Sequence, residues 1–538
     1  MEKTFPDIVL FPNQQDHCSQ LLNILKKWAI ALDFSMMGTG KTYSSSYISK
    51  LLGFKHVIVI CPVSVQGKWE YMRNTYGIKI DNIISFCGLR SVKNHQPHHG
   101  LLHREEFIEK RVKKTQKKII DGIEPSVGEF ESKFTTVSID KAVFKCTDLY
   151  MSYISEGTLL IIDEIQNIKN INSQFDCCHE LLKPIIGESL TMKNSAEPQN
   201  RSMSRAILLS GSPVDKKEQI IHLMKLLNIM TKTNLSRYIP HSQKHVWLGF
   251  KDVVDFATSI NSLTLNLLPP YGGGSNDEFI DTIYDIFQKI IKPELTSCMT
   301  PLSTGHVPEK RNAFYDITPD DYKKIESAVE TLKLSCNYDD KTGKIEFKGG
   351  SCLSTITKML MIIESAKLDT MARIVDSKFS ENMNIKIVVC VNYTTSLDYL
   401  KTKLAKYKPQ ILNGSVSSKN REVIMNLFQE NNNKCRLILG NLSVCATGID
   451  LDDQHGNSPR FCLVNPNYST ITLYQLSHRF HRQNTKSSAT IHFMYSKNKH
   501  ELPVLSAIAN KSNVMKETTS EQASAGIVFP SDHLSYIE

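Results

Sequence analysis

No two cysteines stand in the C-x-x-C spacing of a zinc or redox site, although the chain has 13 cysteines among its 538 residues. Cys177 and Cys178 are adjacent, which is not a metal-ligand spacing. Cys61, Cys390 and Cys462 lie inside apolar runs, where cysteine behaves as a small hydrophobic residue. The cysteines therefore indicate a protein of a reducing compartment.

Long apolar runs are also missing, since none approaches the roughly 18 residues that a membrane span needs. The opening MEKTFPDIVL has no apolar region of a signal peptide. We therefore expect a soluble, intracellular protein of the cytoplasm or nucleus, or of the virion if its source is viral, with no membrane partner.

A strong charge of one sign is absent as well. Lysine and arginine number 64 against 55 acidic residues, a net charge of +9 that permits a polyanionic partner without demonstrating one. With 41% hydrophobic residues, the chain can build real cores, which excludes wholesale disorder and collagen-like repeats. No internal repeat of fixed period is present.

What the chain does contain is a set of short, continuous apolar runs that end in polar or glycine-containing turns. Such runs are typical of strands buried on both faces of a parallel sheet. They lie at 56–62, 158–164, 205–213, 386–393, 435–441, 460–466 and 489–495. Segments with helical spacing lie between them, so the sequence predicts an α/β protein with two parallel-sheet units.

The predicted division of the chain follows from where these runs cluster. The first unit covers 1–230 and has an insertion at about 86–133. A mostly helical insertion or linker covers 231–365, the second unit 366–516, and a tail 517–538. The first insertion carries HREEFIEKRVKKTQKK at 103–118, with seven basic and three acidic residues; a solvated helix face is favoured there over a phosphate-binding surface.

MMGTGKT at 36–42 is the first motif that carries chemistry. Its glycines, Gly38 and Gly40 around Thr39, let backbone N–H groups approach phosphate oxygens at the start of a helix. Lys41 would then reach the β- and γ-phosphates of ATP, and the Thr42 hydroxyl would bind Mg²⁺. The full pattern asks for glycine at position 35, where this chain has Ser35.

LLIIDEIQ at 159–166 supplies the second motif. A strand that ends in Asp163 and Glu164 delivers two carboxylates to the sheet edge where ligands bind in α/β folds. Asp163 is the candidate Mg²⁺ ligand, and Glu164 is the candidate base that orients and deprotonates the attacking water. The pairing of this motif with an upstream lysine loop predicts an ATPase.

From about residue 10 to 515 the chain resembles helicase superfamily 2, and specifically its Swi/Snf-like DNA-dependent ATPases. LFPNQ at 10–14 resembles the element in which a glutamine, here Gln14, reads adenine. VICPVSVQGKW at 59–69 and DEIQNIKN at 163–170 are similar to two further family segments. In LLSGSP, at 208–213, Ser210 and Ser212 would relay nucleotide state to the second unit.

The second unit carries the remaining resemblance, through the segments 365–375, 411–430, 443–453 and 475–486. It implies tandem RecA-like lobes, with Thr447, Gly448 and Asp450 at the lobe interface. It also implies a segment with Gln475 and two catalytic arginines, Arg479 and Arg482. Arg482 is the choice for the arginine finger that stabilises transition-state charge. Asn484 and Thr485 depart from the glycine and glutamine usual there.

The resemblance implies ATP and Mg²⁺ as cofactors and an ATP-driven motor that translocates along double-stranded DNA. Transcription or replication machinery would be the protein partners. Two alternatives stay open: a helicase that separates strands of RNA or DNA, and a nucleotide-gated scaffold that binds nucleic acid without productive turnover.

Overall fold

The computed structural model describes most of the chain. The described residues are 5–91, 99–118, 130–187, 203–232, 237–239, 244–246, 248–268, 276–299, 306–338, 345–347, 352–482, 485–496, 501–519 and 534–536. Among them, no helix is both long and apolar enough to cross a membrane.

The described helices and strands alternate through both units. The strands are β1 Ile30–Asp33, β2 His56–Cys61, β3 Asn82–Ser85, β4 Leu102–Lys118, β5 Phe130–Cys146, β6 Thr158–Asp163, β7 Arg205–Leu209, β8 Arg237–Ile239, β9 Lys244–Val246, β10 Thr296–Ser297, β11 Glu309–Tyr315, β12 Cys336–Tyr338, β13 Ile345–Phe347, β14 Lys386–Val391, β15 Gln410–Leu412, β16 Leu437–Asn441, β17 Arg460–Val464, β18 Ala489–Ser496 and β19 Leu534–Tyr536. The α-helices are α1 Pro12–Lys27, α2 Lys41–Leu52, α3 Val63–Tyr76, α4 Phe86–Arg90, α5 Asp148–Glu156, α6 Ser173–Ile186, α7 Glu218–Leu226, α8 Leu248–Ile260, α9 Asn276–Ile286, α10 Lys292–Leu295, α11 Pro319–Ser335, α12 Cys352–Ser365, α13 Leu368–Glu381, α14 Thr394–Lys403, α15 Ser418–Gln429, α16 Leu442–Cys445, α17 Thr470–Ser477 and α18 Leu502–Thr518.

Two parallel sheets organise the molecule. The first has the strand order β10-β1-β7-β6-β2-β3, and the second β15-β16-β14-β17-β18-β11-β19. Every neighbouring pair in each sheet is parallel. All residues of β6 and β14 are buried, because helices cover both faces of each sheet. The predicted fold class, two tandem parallel-sheet lobes, is confirmed.

Both lobes take a strand from the predicted linker 231–365. Strand β10 extends the first sheet beside β1, while β11 lies between β18 and β19 in the second. Helices α8 and α9 pack into the core of the first lobe through Phe250, Phe256 and Phe279. Strand β19 comes from the predicted tail. The domain boundaries given above stay predictions.

The basic segment 103–118 is part of β4, so the helix favoured from sequence is wrong. Strand β4 pairs antiparallel with β5 along its whole length, from Leu102 opposite Cys146 to Lys118 opposite Phe130. The reason lies in β5, whose β-branched and aromatic residues favour an extended partner strand. Residues 119–129 lie outside the described residues.

The last described helix, α18, reaches back to the first lobe. The Tyr284 hydroxyl of α9 donates to Glu517 Oε2 at 2.6 Å, and Lys292 Nζ donates to the Glu517 carbonyl at 2.7 Å. Met515 packs with Tyr474 of the second lobe and Met37 of the first. These contacts help to fix the lobes around the site that lies between them.

Candidate nucleotide site between the lobes

The phosphate loop follows β1 and ends at the first residue of α2. Gly38 and Gly40 adopt φ of +83° and +99°, a conformation that L side chains rarely take. Lys41 Nζ donates to the carbonyls of Ser35 and Met36 at 2.8 and 2.9 Å. Thr42 is buried in the first turn of the helix. The loop thus presents backbone amides and the helix N-terminus together.

Gln14 binds this loop from α1. Its Nε2 donates to the Thr39 carbonyl at 2.9 Å, and its Oε1 accepts from the Phe11 amide at 3.0 Å. A Cβ at Gly40 would displace the Gln14 amide from its present position, and the positive φ of Gly40 favours glycine there. The predicted base reader is therefore fixed against the predicted phosphate loop.

The acidic pair lies at the end of β6, between β7 and β2 in the first sheet. Burial raises the pKa of Asp163 to about 7, and the Glu164 carboxylate adds to the rise. Trp69 Nε1 donates to Asp163 Oδ2 at 3.0 Å and, with Lys41, opposes the rise. Glu164 has φ of +62°, a strained backbone of a kind that clusters at functional sites.

A chain of hydrogen bonds joins this pair to the segment after β7. Gln166 Nε2 donates to Glu164 Oε2, while Gln166 Oε1 accepts from Ser210 Oγ at 2.6 Å. Ser210 Oγ in turn accepts from the Ser212 amide at 3.0 Å. The structure therefore brings Ser210 into contact with the acidic segment, and Ser212 joins it through its backbone amide.

Arg482 is held by its own lobe. Its Nε donates to Asp450 Oδ1 at 2.6 Å, and its Nη1 donates to the His478 and His481 carbonyls. Desolvation alone would raise the pKa of Asp450, but Arg482 holds that pKa below its ordinary value. Thr485, one of the two departures from the family pattern, caps this turn: its Oγ1 accepts from the Arg482 amide at 2.8 Å.

Arg479 lies one turn earlier, where its Nε donates to the Ala446 carbonyl at 2.8 Å. Burial lowers the pKa of Arg479 to about 10, and the nearby Arg482 adds to the lowering. Thr447 donates to the Ser443 carbonyl of its own lobe at 3.1 Å, and Gln475 is buried in α17.

The two lobes meet at the phosphate loop. A Cβ built on Gly38 would lie 3.5 Å from Arg482 Nη1, so the arginine of the second lobe lies over the loop of the first. A Cβ on Gly448 would lie 2.9 Å from both Cβ and O of Ser64. A cavity of about 330 Å³ opens between the lobes here, and its lining includes Gln14, Gly38, Gly40 and Arg482.

Sequence reasoning missed one residue of this site. A tryptophan such as Trp69 is expected from sequence to pack in a core, and it is fully buried, yet its ring N–H also binds the candidate magnesium ligand. The signal in the sequence was the position of Trp69 at the end of the segment 59–69, which resembles a segment of the family. That position puts Trp69 on α3, which follows β2, the neighbour of β6.

Comparisons with known proteins agree with this geometry. Residues 366–484 match the family model of the helicase conserved C-terminal domain. The matched segment lies within the second lobe. The chain is also 24% identical over 482 residues to a protein of Acanthamoeba polyphaga mimivirus that is named as an ATP-dependent RNA helicase, covering 89% of this chain and 77% of the relative. The predicted resemblance to helicase superfamily 2 is thereby confirmed, and with it the predicted class of ATP-hydrolysing helicase.

Solved structures resemble the helicase more distantly. The Sulfolobus solfataricus SWI2/SNF2 ATPase core in complex with double-stranded DNA is 15% identical, with a TM-score of 0.30, over 91% of this chain and 88% of that one. The Pyrococcus furiosus Hef helicase domain is 12% identical, with a TM-score of 0.37, over 92% and 97%. Likenesses this weak carry no conclusion about substrate.

The site fits the nucleotide that the helicase class implies. The cavity has room for part of a nucleotide and is bounded by a loop with two glycines of positive φ. Asp163 and Glu164 place two carboxyl groups next to each other at the sheet edge, and the burial of Asp163 favours a bound cation that would offset its charge. Carboxylate and hydroxyl oxygens are the donors that Mg²⁺ prefers.

Proposed function

We propose that this helicase is an ATP-driven DNA motor of the Swi/Snf-like type, which hydrolyses ATP between its lobes and translocates along duplex DNA. The observation that carries the proposal is the position of Arg482 over the phosphate loop at Gly38. The two residues are 444 positions apart in sequence, so one nucleotide can contact both only when the lobes are closed. Opening and closing would then follow the nucleotide cycle.

The first lobe would hold the nucleotide. Gln14 would read the base at the edge of the cavity, and the amides of Gly38, Thr39 and Gly40 would surround the phosphates. Lys41 would exchange its present carbonyl partners for the β- and γ-phosphates. Thr42 and Asp163 would hold Mg²⁺, which supplies charge neutralisation when bound.

Glu164 and the arginines would act during hydrolysis. Glu164 would orient the attacking water and accept its proton, and Gln166 already fixes its carboxylate by a hydrogen bond. Arg482 would stabilise charge that develops on the transferred phosphoryl group. Because Asp450 and two backbone carbonyls already orient the guanidinium, little reorganisation would be needed at that moment.

Three observations support duplex DNA as the track. The DEIQNIKN segment and the large region between the two helicase lobes resemble the duplex-translocating branch. The net charge of +9 agrees with a polyanionic partner. The β4–β5 ribbon carries seven basic residues within 103–118, outside both main sheets.

A strand-separating helicase acting on RNA is the second candidate. The specific observation in its favour is the mimivirus relative, which is named as an RNA helicase. A scaffold without turnover is disfavoured, since Lys41, Asp163, Glu164 and Arg482 all occupy a common region around the loop.

The test is the ATPase rate measured in parallel with no nucleic acid, duplex DNA, single-stranded DNA and RNA. We expect the largest stimulation from duplex DNA, weakening with salt as phosphate contacts are screened. Stimulation by RNA or single strands alone, with duplex inert, would replace the proposal by the strand-separating candidate. Absence of turnover under every condition would favour the scaffold.

A further inference from the structure

Beneath the phosphate loop lies a buried pair of side chains that the proposed chemistry does not use. His17 Nε2 of α1 lies 3.0 Å from Asp33 Oδ2 at the end of β1, and the two side chains are 1% and 0% exposed. Burial alone would raise the pKa of Asp33, but His17, Lys41 and Ser35 hold it below its ordinary value. Two buried titratable side chains of this kind are costly to keep away from water, which calls for a reason.

The other ring nitrogen of His17 also has a partner. His17 Nδ1 lies 2.8 Å from Ser297 Oγ, and Ser297 Oγ donates its single hydrogen to Gln20 Oε1 at 2.8 Å. His17 therefore contacts the end of β1 through one ring nitrogen and β10 through the other.

Ser35 connects this pair to the loop. Its amide donates to Asp33 Oδ1 at 3.0 Å, and its hydroxyl donates to the same oxygen. The hydroxyl also accepts from the Met299 amide at 2.8 Å, and the Ser35 carbonyl accepts from Lys41 Nζ at 2.8 Å. Glycine, which the phosphate-loop pattern asks for at position 35, could make neither hydroxyl contact.

We propose that His17, Asp33 and Ser35 form a positioning unit that sets the backbone of the phosphate loop and ties it to Met299, just after β10. Helix α1 then holds the loop at both ends, through Gln14 at Thr39 and through His17 and Asp33 at Ser35. Met299 follows β10 and precedes β11, the strands contributed to the first and second sheets. Movement of Met299 would therefore reach the loop through the Ser35 hydroxyl.

The kinetic test of the positioning unit rests on the proposed function. Substitutions of Ser35 test the unit most directly. Ser35→Ala and Ser35→Gly remove the hydroxyl, while Ser35→Thr keeps it. Ser380→Ala is the matched control, because it removes an exposed hydroxyl of the second lobe that bonds only within its own helix. Asp33→Asn removes the charge at constant size.

We expect Ser35→Ala and Ser35→Gly to weaken binding of fluorescent ADP and to raise KM for ATP about tenfold, as for loss of one buried hydrogen bond. Asp33→Asn should lower nucleotide affinity roughly 10- to 100-fold, because the carboxylate that attracts Lys41 and accepts two hydrogen bonds from Ser35 becomes a neutral amide. Ser35→Thr and Ser380→Ala should stay close to wild type. A merely structural role would instead lower the melting temperature of each variant with KM unchanged in the folded fraction.

Hydrogen–deuterium exchange of the amides at 35–41 separates this inference from the proposed function, because it needs no turnover. The positioning unit predicts faster exchange there in Asp33→Asn and Ser35→Gly than in Ser380→Ala. Unchanged exchange, or wild-type nucleotide affinity in Ser35→Gly, would overturn it. Equal ATP turnover in wild type and Lys41→Ala would instead defeat the proposed function, whatever the exchange shows.

Discussion

Gly448→Ala offers a direct test of whether the lobes must close for catalysis. The residue has φ of +68°, and its Cβ position lies 2.9 Å from Cβ and O of Ser64 on the opposite lobe. An alanine there costs roughly 1–2 kcal/mol for its left-handed backbone. That cost is the same whether the lobes are open or closed. It should therefore lower the stability of the folded protein without changing the equilibrium between the open and closed states.

The contact with Ser64 acts differently, because it exists only when the lobes are together. Overpacking at a close contact costs about 1–3 kcal/mol. This energy opposes closure alone and corresponds to a factor of about 5–150 in the closed population. We expect a fall of that size in nucleic-acid-stimulated kcat, with little change in ADP binding by the first lobe.

Gly456→Ala is the control for Gly448→Ala. Gly456 also has positive φ, at +89°, but its Cβ position is 3.8 Å from Lys486 Cβ in the same lobe, an ordinary contact. The melting temperature should fall by a similar amount in the two variants. If stimulated kcat also falls equally in both, the reasoning about lobe closure is wrong.

Three further predictions concern the helicase site and the second lobe. Arg482→Ala should reduce kcat by about 10³–10⁵ with nucleotide binding retained; a near-normal rate, with Arg479→Ala inactive, would move the finger to Arg479. Glu164→Gln should keep ATP bound while abolishing turnover, and a loss of binding would assign it a structural role. Burial, with nearby positive charges, lowers the pKa of His492 to about 4. Its folded form therefore binds fewer protons than the unfolded chain, and stability should fall by roughly 3 kcal/mol as pH drops from about 6.5 to 4. Denaturant melts should show a smaller fall in His492→Gln, and an identical pH profile would refute this assignment.

Much of the fold could be predicted because its signals are local. The seven apolar runs correspond to β2, β6, β7, β14, β16, β17 and β18. A short apolar run bounded by polar or glycine-containing turns favours a strand buried on both faces. Glu164, Ser210 and Ser212 could be placed because each closely follows such a strand, and Asp163 is the last residue of one.

The failures come from contacts that no local pattern shows. The basic segment of β4 is extended because β5 pairs with it, and charged residues alone do not distinguish a solvated helix from such a strand. From the sequence alone, Ser35 is only a departure from the phosphate-loop pattern. Its partner Met299 is 264 residues away, and only the folded chain brings the two together.

Trp69 illustrates the same limit within the site. Burial of a tryptophan can be expected from its size and apolarity, but the direction of its ring N–H cannot. Its hydrogen bond to Asp163 depends on α3 packing beside β6, a relation between elements 94 residues apart.

The central claim is that ATP hydrolysis between the helicase lobes drives movement along duplex DNA, and displacement of a third strand from a triplex tests it most directly. Wild-type protein should release the third strand in the presence of ATP, from one direction and without net unwinding of the duplex. Lys41→Ala should release none, because the charge nearest the phosphates is gone. Vigorous ATP turnover with no third-strand release, or release accompanied by separation of the duplex, would contradict the account.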